Sequence, residues 1–260
     1  MKSKNIYAAI ISVLSNIIIF TNFAESRELR YDFHWLLVPV AELSINLDQP
    51  LSIEKEINFT QIKFKINTKG PLKLYRNYLT EGYVKKNNDY SWDYYLSGHD
   101  RGQPEEKLIT YYVSNIPETK KFIDDKGVDP ILVDTLKDIG AIDPFTVLLR
   151  VINQLKSEGT CEDVYSVMDG KRRYQIELSY IDEQVVTSGD FKNIGSTIHC
   201  RLRILSNKIV GKNDSTKRWP FNGKDKYIDI WLTESFDFFP IKIEFHGPFG
   251  KIVGIGVNNL

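Results

Sequence analysis

The groups in this sequence that can do chemistry are few and widely spaced. Its four histidines, His34, His99, His199 and His246, stand far apart, and none belongs to a Cys/His cluster with metal-ligand spacing. The trio His99, Asp100 and Arg101 is chemically capable, yet its spacing identifies no reaction. The carboxylate pairs Glu105-Glu106 and Asp124-Asp125 sit in charged stretches, where they are expected to face water rather than share a proton. His199 adjoins Cys200, but adjacent residues on a strand point to opposite faces, so they make no thiol–imidazole pair there. Neither G-x-S-x-G, a P-loop, H-E-x-x-H nor a dinucleotide fingerprint occurs. The expectation is a non-enzymatic protein with no catalytic residue, metal or cofactor.

The element that must organise the remaining polar and apolar groups is a helix beginning at Asp143. Asp143 can cap it, Pro144 fits its first position, and Gly159 can end it in a left-handed conformation. At 100° per residue, Phe145, Val147, Leu148, Leu149, Val151, Ile152 and Leu155 cover an arc of roughly 200°. Thr146, Arg150, Asn153, Gln154 and Ser157 form the polar strip. An arc this wide means either a plug buried on two sides of a curved sheet or a lid over an apolar cavity. In the second case Phe145, Leu148, Leu149 and Ile152 are candidate apolar ligand or lid contacts, with Trp92 and Tyr94 from the aromatic-rich strands opposite.

The rest of the chain reads as strands. In LRYDFHWLLVPVAELSINL two short strands break at Pro39, with Tyr31, Phe33 and Trp35 on one face. Gln61 to Thr68 alternates, Gly70-Pro71 is a breaker, and Leu72 to Leu79 fits a helical turn or another strand. Strands at Tyr90–Ser97 and Lys107–Ser114 flank the loop GHDRGQPEE. Lys120 to Asp138 is less readable. After the helix, Asp163–Met168 and Lys171–Glu183 form a hairpin around Asp169-Gly170. Thr197–Leu205, Tyr227–Thr233, Ile241–His246 and Lys251–Val257 complete an antiparallel meander, with Cys200, Leu202, Ile228, Ile230 and Leu232 facing in. The fold class is therefore mainly β: a curved antiparallel sheet, or an open or closed barrel, with one main helix as plug or lid.

Composition sets the setting. With 260 residues and 42% hydrophobic content the chain can bury a substantial core, and 34 basic residues balance 34 acidic ones. No overall field favours nucleic acid, and Lys208 to Lys226, with Asp214 and Asp225 among its cations, reads as a solvated loop. At the N-terminus, Lys2 and Lys4 precede an apolar run from Ile6 to Phe20, followed by Thr21, Asn22, Phe23 and Ala24. This is the pattern of a secretory signal peptide over residues 1–24, leaving 25–260 as a single β-rich domain; an uncleaved anchor is the alternative. In an oxidising compartment the only cysteines, Cys161 and Cys200, are expected to pair.

The opening strand LRYDFHWLLVPVAELSINL, the helix start DPFTVLLRV, the segment DGKRRYQIEL, the downstream Cys200 and IDIWLTESFDFFPIKIEFHGPFGKIVGI occur together in a distinctive order. In these stretches the chain resembles the bacterial exported proteins of domain-of-unknown-function family 3108. The resemblance implies a periplasmic envelope protein of a Gram-negative bacterium with a β-rich, barrel-like fold and no assigned reaction. It also argues against glycosylation at Asn58-Phe59-Thr60 or Asn213-Asp214-Ser215. Two functions follow as expectations. One is a binding or carrier module for an apolar ligand such as a lipid; the other is a structural or protein-interaction factor of the envelope without a small-molecule ligand.

Overall fold

The protein was analysed as a computed structural model that describes residues 27–47, 61–75, 77–100, 103–123, 139–170, 172–185, 195–205, 210–211, 226–247 and 250–257. The signal-peptide segment, Asp124-Asp125, both Asn-X-Ser/Thr triplets, Arg101 and nearly all of Lys208–Lys226 lie outside them. The first half contributes β1 (Arg27–Trp35), β2 (Val38–Leu47), β3 (Gln61–Thr68), α1 (Gly70–Tyr75), β4 (Tyr78–Asn88), β5 (Ser91–Asp100), β6 (Gln103–Tyr112) and β7 (Glu118–Ile123). The main helix α2 (Pro144–Glu158) precedes β8 (Asp163–Met168), β9 (Arg172–Val185), β10 (Ser196–Ile204), β11 (Val210–Gly211), β12 (Lys226–Leu232), β13 (Pro240–Gly247) and β14 (Gly250–Val257).

These strands make one antiparallel sheet in the order β11-β9-β10-β12-β13-β14-β1-β2-β3-β4-β5-β6-β7, with β8 on the other edge of β9. Most neighbours are consecutive in sequence, as short connections require. Besides β10–β12 and β11–β9, the far exception is the pairing of β1 with β14, from Arg30↔Val257 to Trp35↔Ile252, which joins the first and last described strands in mid-sheet. Inward residues such as Tyr31, Ile45, Ile62, Val84, Ile109 and Ile230 belong to one contiguous core with α2. Where the sheet curves tightly, Gly82 and Gly254 leave room for the Phe64 and Phe33 rings, which a Cβ would meet at 2.6 and 2.3 Å.

The ladder is open, yet its two ends are stitched together. Ile142 makes a parallel bridge to β8, through Ile142 N–H to Ser166 O (3.0 Å) and Met168 N–H to Ile142 O (3.0 Å). From the opposite end of the sheet, the Tyr111 hydroxyl donates to Met168 O (2.5 Å) and the buried Lys107 ammonium to Asp169 O (2.7 Å). The barrel-like shape is thus completed by side chains and one connecting segment, and the carbonyls of an edge strand are satisfied without a further ladder.

Several expectations shift. The β1–β2 turn lies at Leu36-Leu37, with Trp35 opposite Val38, and Pro39 sits inside β2 opposite His34 at a bulge. Proline is tolerated there because the bulge releases it from the regular ladder. GHDRGQPEE is largely strand: β5 and β6 stay paired to Asp100↔Gln103. Gly70-Pro71 opens α1 rather than breaking the chain, since Gly70 adopts φ 54 and packs where a Cβ would meet Pro39 O at 2.4 Å. At the β8–β9 turn Asp169 faces Arg172: its N–H donates to Arg172 O (3.0 Å), and its carboxylate accepts from Arg172 N–H (2.8 Å) and Arg172 Nε (2.9 Å). On α2, Thr146 belongs to the buried face instead of the polar strip because its hydroxyl is committed to Asp143.

Candidate functional site

Local chemistry places the expected apolar residues inside the sheet. Asp143 caps α2 as anticipated, its Oδ1 accepting from the N–H groups of Phe145 (2.8 Å) and Thr146 (2.9 Å). Its Oδ2 accepts from Trp92 Nε1 at 2.8 Å, so Trp92 anchors the helix start to β5. Burial pushes the Asp143 carboxyl up, against the opposing effect of these donors. Phe145 stacks on Phe64 at 4.4 Å, and Phe64 in turn lies 6.2 Å from Tyr94. Leu149 and Ile152 are buried and Leu148 is half-buried, all packed into the same core. All six candidate contacts therefore belong to, or pack against, the one core cluster that α2 shares with the sheet. Cys161, just past its end, is bonded to Cys200 in the middle of β10.

One end of the barrel-like sheet exposes apolar side chains. At the β1–β2 tip Leu36 is 80% and Leu37 94% exposed, between half-exposed Trp35 and Val38. Leu36 adopts φ 55, a conformation that favours glycine or asparagine. On α1, which packs beside the base of this hairpin, Leu72 turns into the core while Leu74 is 94% exposed.

A second constellation, unforeseen from spacing, lies on the outer face of the C-terminal meander. The registers Arg201↔Asp229 and Asp229↔Glu244 put these residues in one row, and His199↔Asp182, His199↔Trp231 and Trp231↔Lys242 form the next. Asp229 accepts from Arg201 Nε (2.7 Å), Arg201 Nη2 (3.1 Å) and His246 Nε2 (2.8 Å). Lys242 (2.6 Å) and Lys251 (3.1 Å) pair with Glu244. His199 meets Asp182 through Nδ1 at 3.1 Å and stacks on Trp231 at 4.4 Å. Asp229 is only 2% exposed and His199 5%, although both lie on what alternation marks as a wet face. Beside His199, Trp231 belongs to a small outer cluster with Phe236, Ile241 and Ile255, next to the 3-10 turn Glu234–Phe236. Burial alone would raise the two carboxyls; the surrounding cations outweigh it and hold both Asp229 and Glu244 below the usual carboxylate range.

Sequence reading assigned these residues to polar faces, and their alternation was the available signal. It missed their convergence because that depends on the register across β9, β10, β12 and β13. Of the His99-Asp100-Arg101 trio, Arg101 lies outside the described residues, and His99 pairs with Pro104 in the β5–β6 ladder.

No curated protein matches the chain. Among solved structures it is similar to a β-barrel-like protein of domain of unknown function DUF1849 from Brucella abortus, with a TM-score of 0.57 at 10% identity over 90% of this chain and 96% of that one. At that identity the likeness concerns the fold. The family model described as protein of unknown function (DUF3108) matches residues 30–255, and the chain belongs to that family.

Proposed function

We propose that this protein is an exported, non-enzymatic module of the cell envelope that engages lipid, meeting a bilayer surface with its β1–β2 tip. The observation that carries this reading is the pair Leu36 and Leu37, projecting 80% and 94% exposed from a tight turn. Two-residue hairpins ordinarily use Asn-Gly or Gly-containing turns, so two leucines there cost both backbone strain and hydration. A bilayer supplies the compensating burial, with Trp35 at headgroup depth behind them. Burying two leucines contributes roughly 3–6 kcal/mol, which favours reversible docking over permanent anchoring. The exported address, to the periplasm, is supported by the Cys161–Cys200 bond, which an oxidising compartment sustains.

An acyl chain carried inside would have to displace Phe145 from Phe64, so the tip is the more accessible contact. The second reading, a protein-interaction factor, is favoured by an open outer groove of about 410 Å³ lined by Lys63, Lys65, Glu81, Tyr83 and Tyr95. The test is co-sedimentation of the mature chain with phosphatidylethanolamine/phosphatidylglycerol vesicles. Wild type should pellet with them, and the double variant Leu36→Asp/Leu37→Asp should stay in solution with an unchanged melting temperature. Equal pelleting of both proteins would remove the tip as the lipid contact, and no binding by wild type would remove the lipid reading and leave the protein-interaction one.

A further inference from the structure

We infer that Asp229, Glu244 and His246, with His199 as a fourth donor, form a binding site for a divalent transition-metal ion of the zinc class. Asp229, Glu244 and His246 each offer one ligand atom, and these atoms all lie within 4.8 Å of one another. Two imidazoles and two carboxylates form a donor set suited to Zn²⁺. The Asp229 oxygens lie 2.8 Å from His246 Nε2 and 3.3 Å from His199 Nε2. Donors at ~2.0–2.1 Å around one ion are themselves roughly 2.9–3.4 Å apart, so the Asp229 and histidine atoms already stand near ligand spacing, while the Glu244 carboxylate, within 4.8 Å, has to close in.

An independent observation comes from His199. Its side chain is 7% exposed, and its Nε2 makes no hydrogen bond although a carboxylate oxygen of Asp229 lies 3.3 Å away. Asp182 and Asp229 thus present carboxylate oxygens to the two ring nitrogens, 3.1 Å from Nδ1 and 3.3 Å from Nε2. A cation held between Asp229 and Nε2 would give this buried nitrogen a partner. An imidazole whose other nitrogen donates to a carboxylate is also the arrangement that orients metal-bound histidines. Stacking on Trp231 holds this ring in place.

The groups facing the site include Arg201 on Asp229 and Lys242 and Lys251 on Glu244. These cations compete with the ion. Lys251 and Lys242 must yield Glu244, whereas Arg201 can remain as an outer partner of Asp229. The expected affinity is accordingly moderate, and the site is a regulated or accessory one rather than a structural zinc centre that the fold requires. It is independent of the lipid contact at the β1–β2 tip.

The test uses the full mature chain without a tag, stripped with EDTA and titrated with ZnCl₂ by calorimetry and by thermal melting, with MgCl₂ as control. Zn²⁺ should bind with one-to-one stoichiometry and raise the melting temperature, while Mg²⁺ does neither. Glu244→Gln and His246→Gln should each weaken Zn²⁺ at least tenfold, and His199→Gln should weaken it as well. The variants need only retain the wild-type circular dichroism spectrum for the isotherms to be compared; Glu244→Gln alone suffices if a histidine variant does not fold. Absence of stoichiometric binding, or binding unchanged in Glu244→Gln, would overturn the site.

Discussion

At the scale of single residues, the outer cluster ties charge to stability. Asp229 and Glu244 are held below the usual carboxylate range, so the folded state binds fewer protons there than the unfolded chain does. Their contribution is fully present above the unfolded value of about 4 and is lost as pH falls through the folded values. Asp143 acts in the opposite sense: burial raises it, so its contribution declines as pH rises through that range. The expected result is a melting temperature that falls on acidification below about pH 4, less steeply in Asp229→Asn than in wild type. A slope identical in the two proteins would mean that Asp229 is not held low by Arg201 and His246.

At the scale of elements, α2 depends on its first turn and its buried face. Asp143 serves two elements at once, capping the helix and accepting from Trp92 of β5. Along the helix, Leu149 is almost fully buried whereas Leu148 is only half-buried. Leu149→Ala should therefore cost about 2–5 kcal/mol in denaturant unfolding, and Leu148→Ala distinctly less. Equal, small losses would show that the helix is loosely seated, as a lid would be. The helix itself was legible in the sequence because its cap, its proline and its apolar period are local. Thr146 was not, since its burial follows from a hydroxyl bond to the capping carboxylate rather than from the hydropathy of threonine.

At the scale of the whole molecule, the disulfide and the seam hold the curved sheet around its plug. Cys161 and Cys200 are 39 residues apart, and their bond ties the end of α2 to the middle of β10. Closing a loop of that length stabilises by about 4 kcal/mol in the chain-entropy picture. The variant Cys161→Ser/Cys200→Ser should lose up to about that much stability. If wild type with and without reductant melts at the same temperature as the variant, the bond contributes nothing to this fold. The seam works differently: Lys107 and Tyr111 reach backbone carbonyls of the β8–β9 hairpin, so closure rests on buried side-chain donors.

The sequence by itself determined what is local or periodic. Alternation defined the inward faces of β3, β10 and β12, the Asp143 and Gly159 signals bounded α2, and two lone cysteines implied a bond. Its motif order pointed to the family that the chain belongs to. Tertiary structure alone decided the β1–β14 pairing and the seam through Ile142, because each joins residues remote in sequence. The same reason hid the meeting of His199, Asp229, Glu244 and His246. A strand's alternation tells which face a residue occupies, but only register across several strands tells which residues on that face are neighbours.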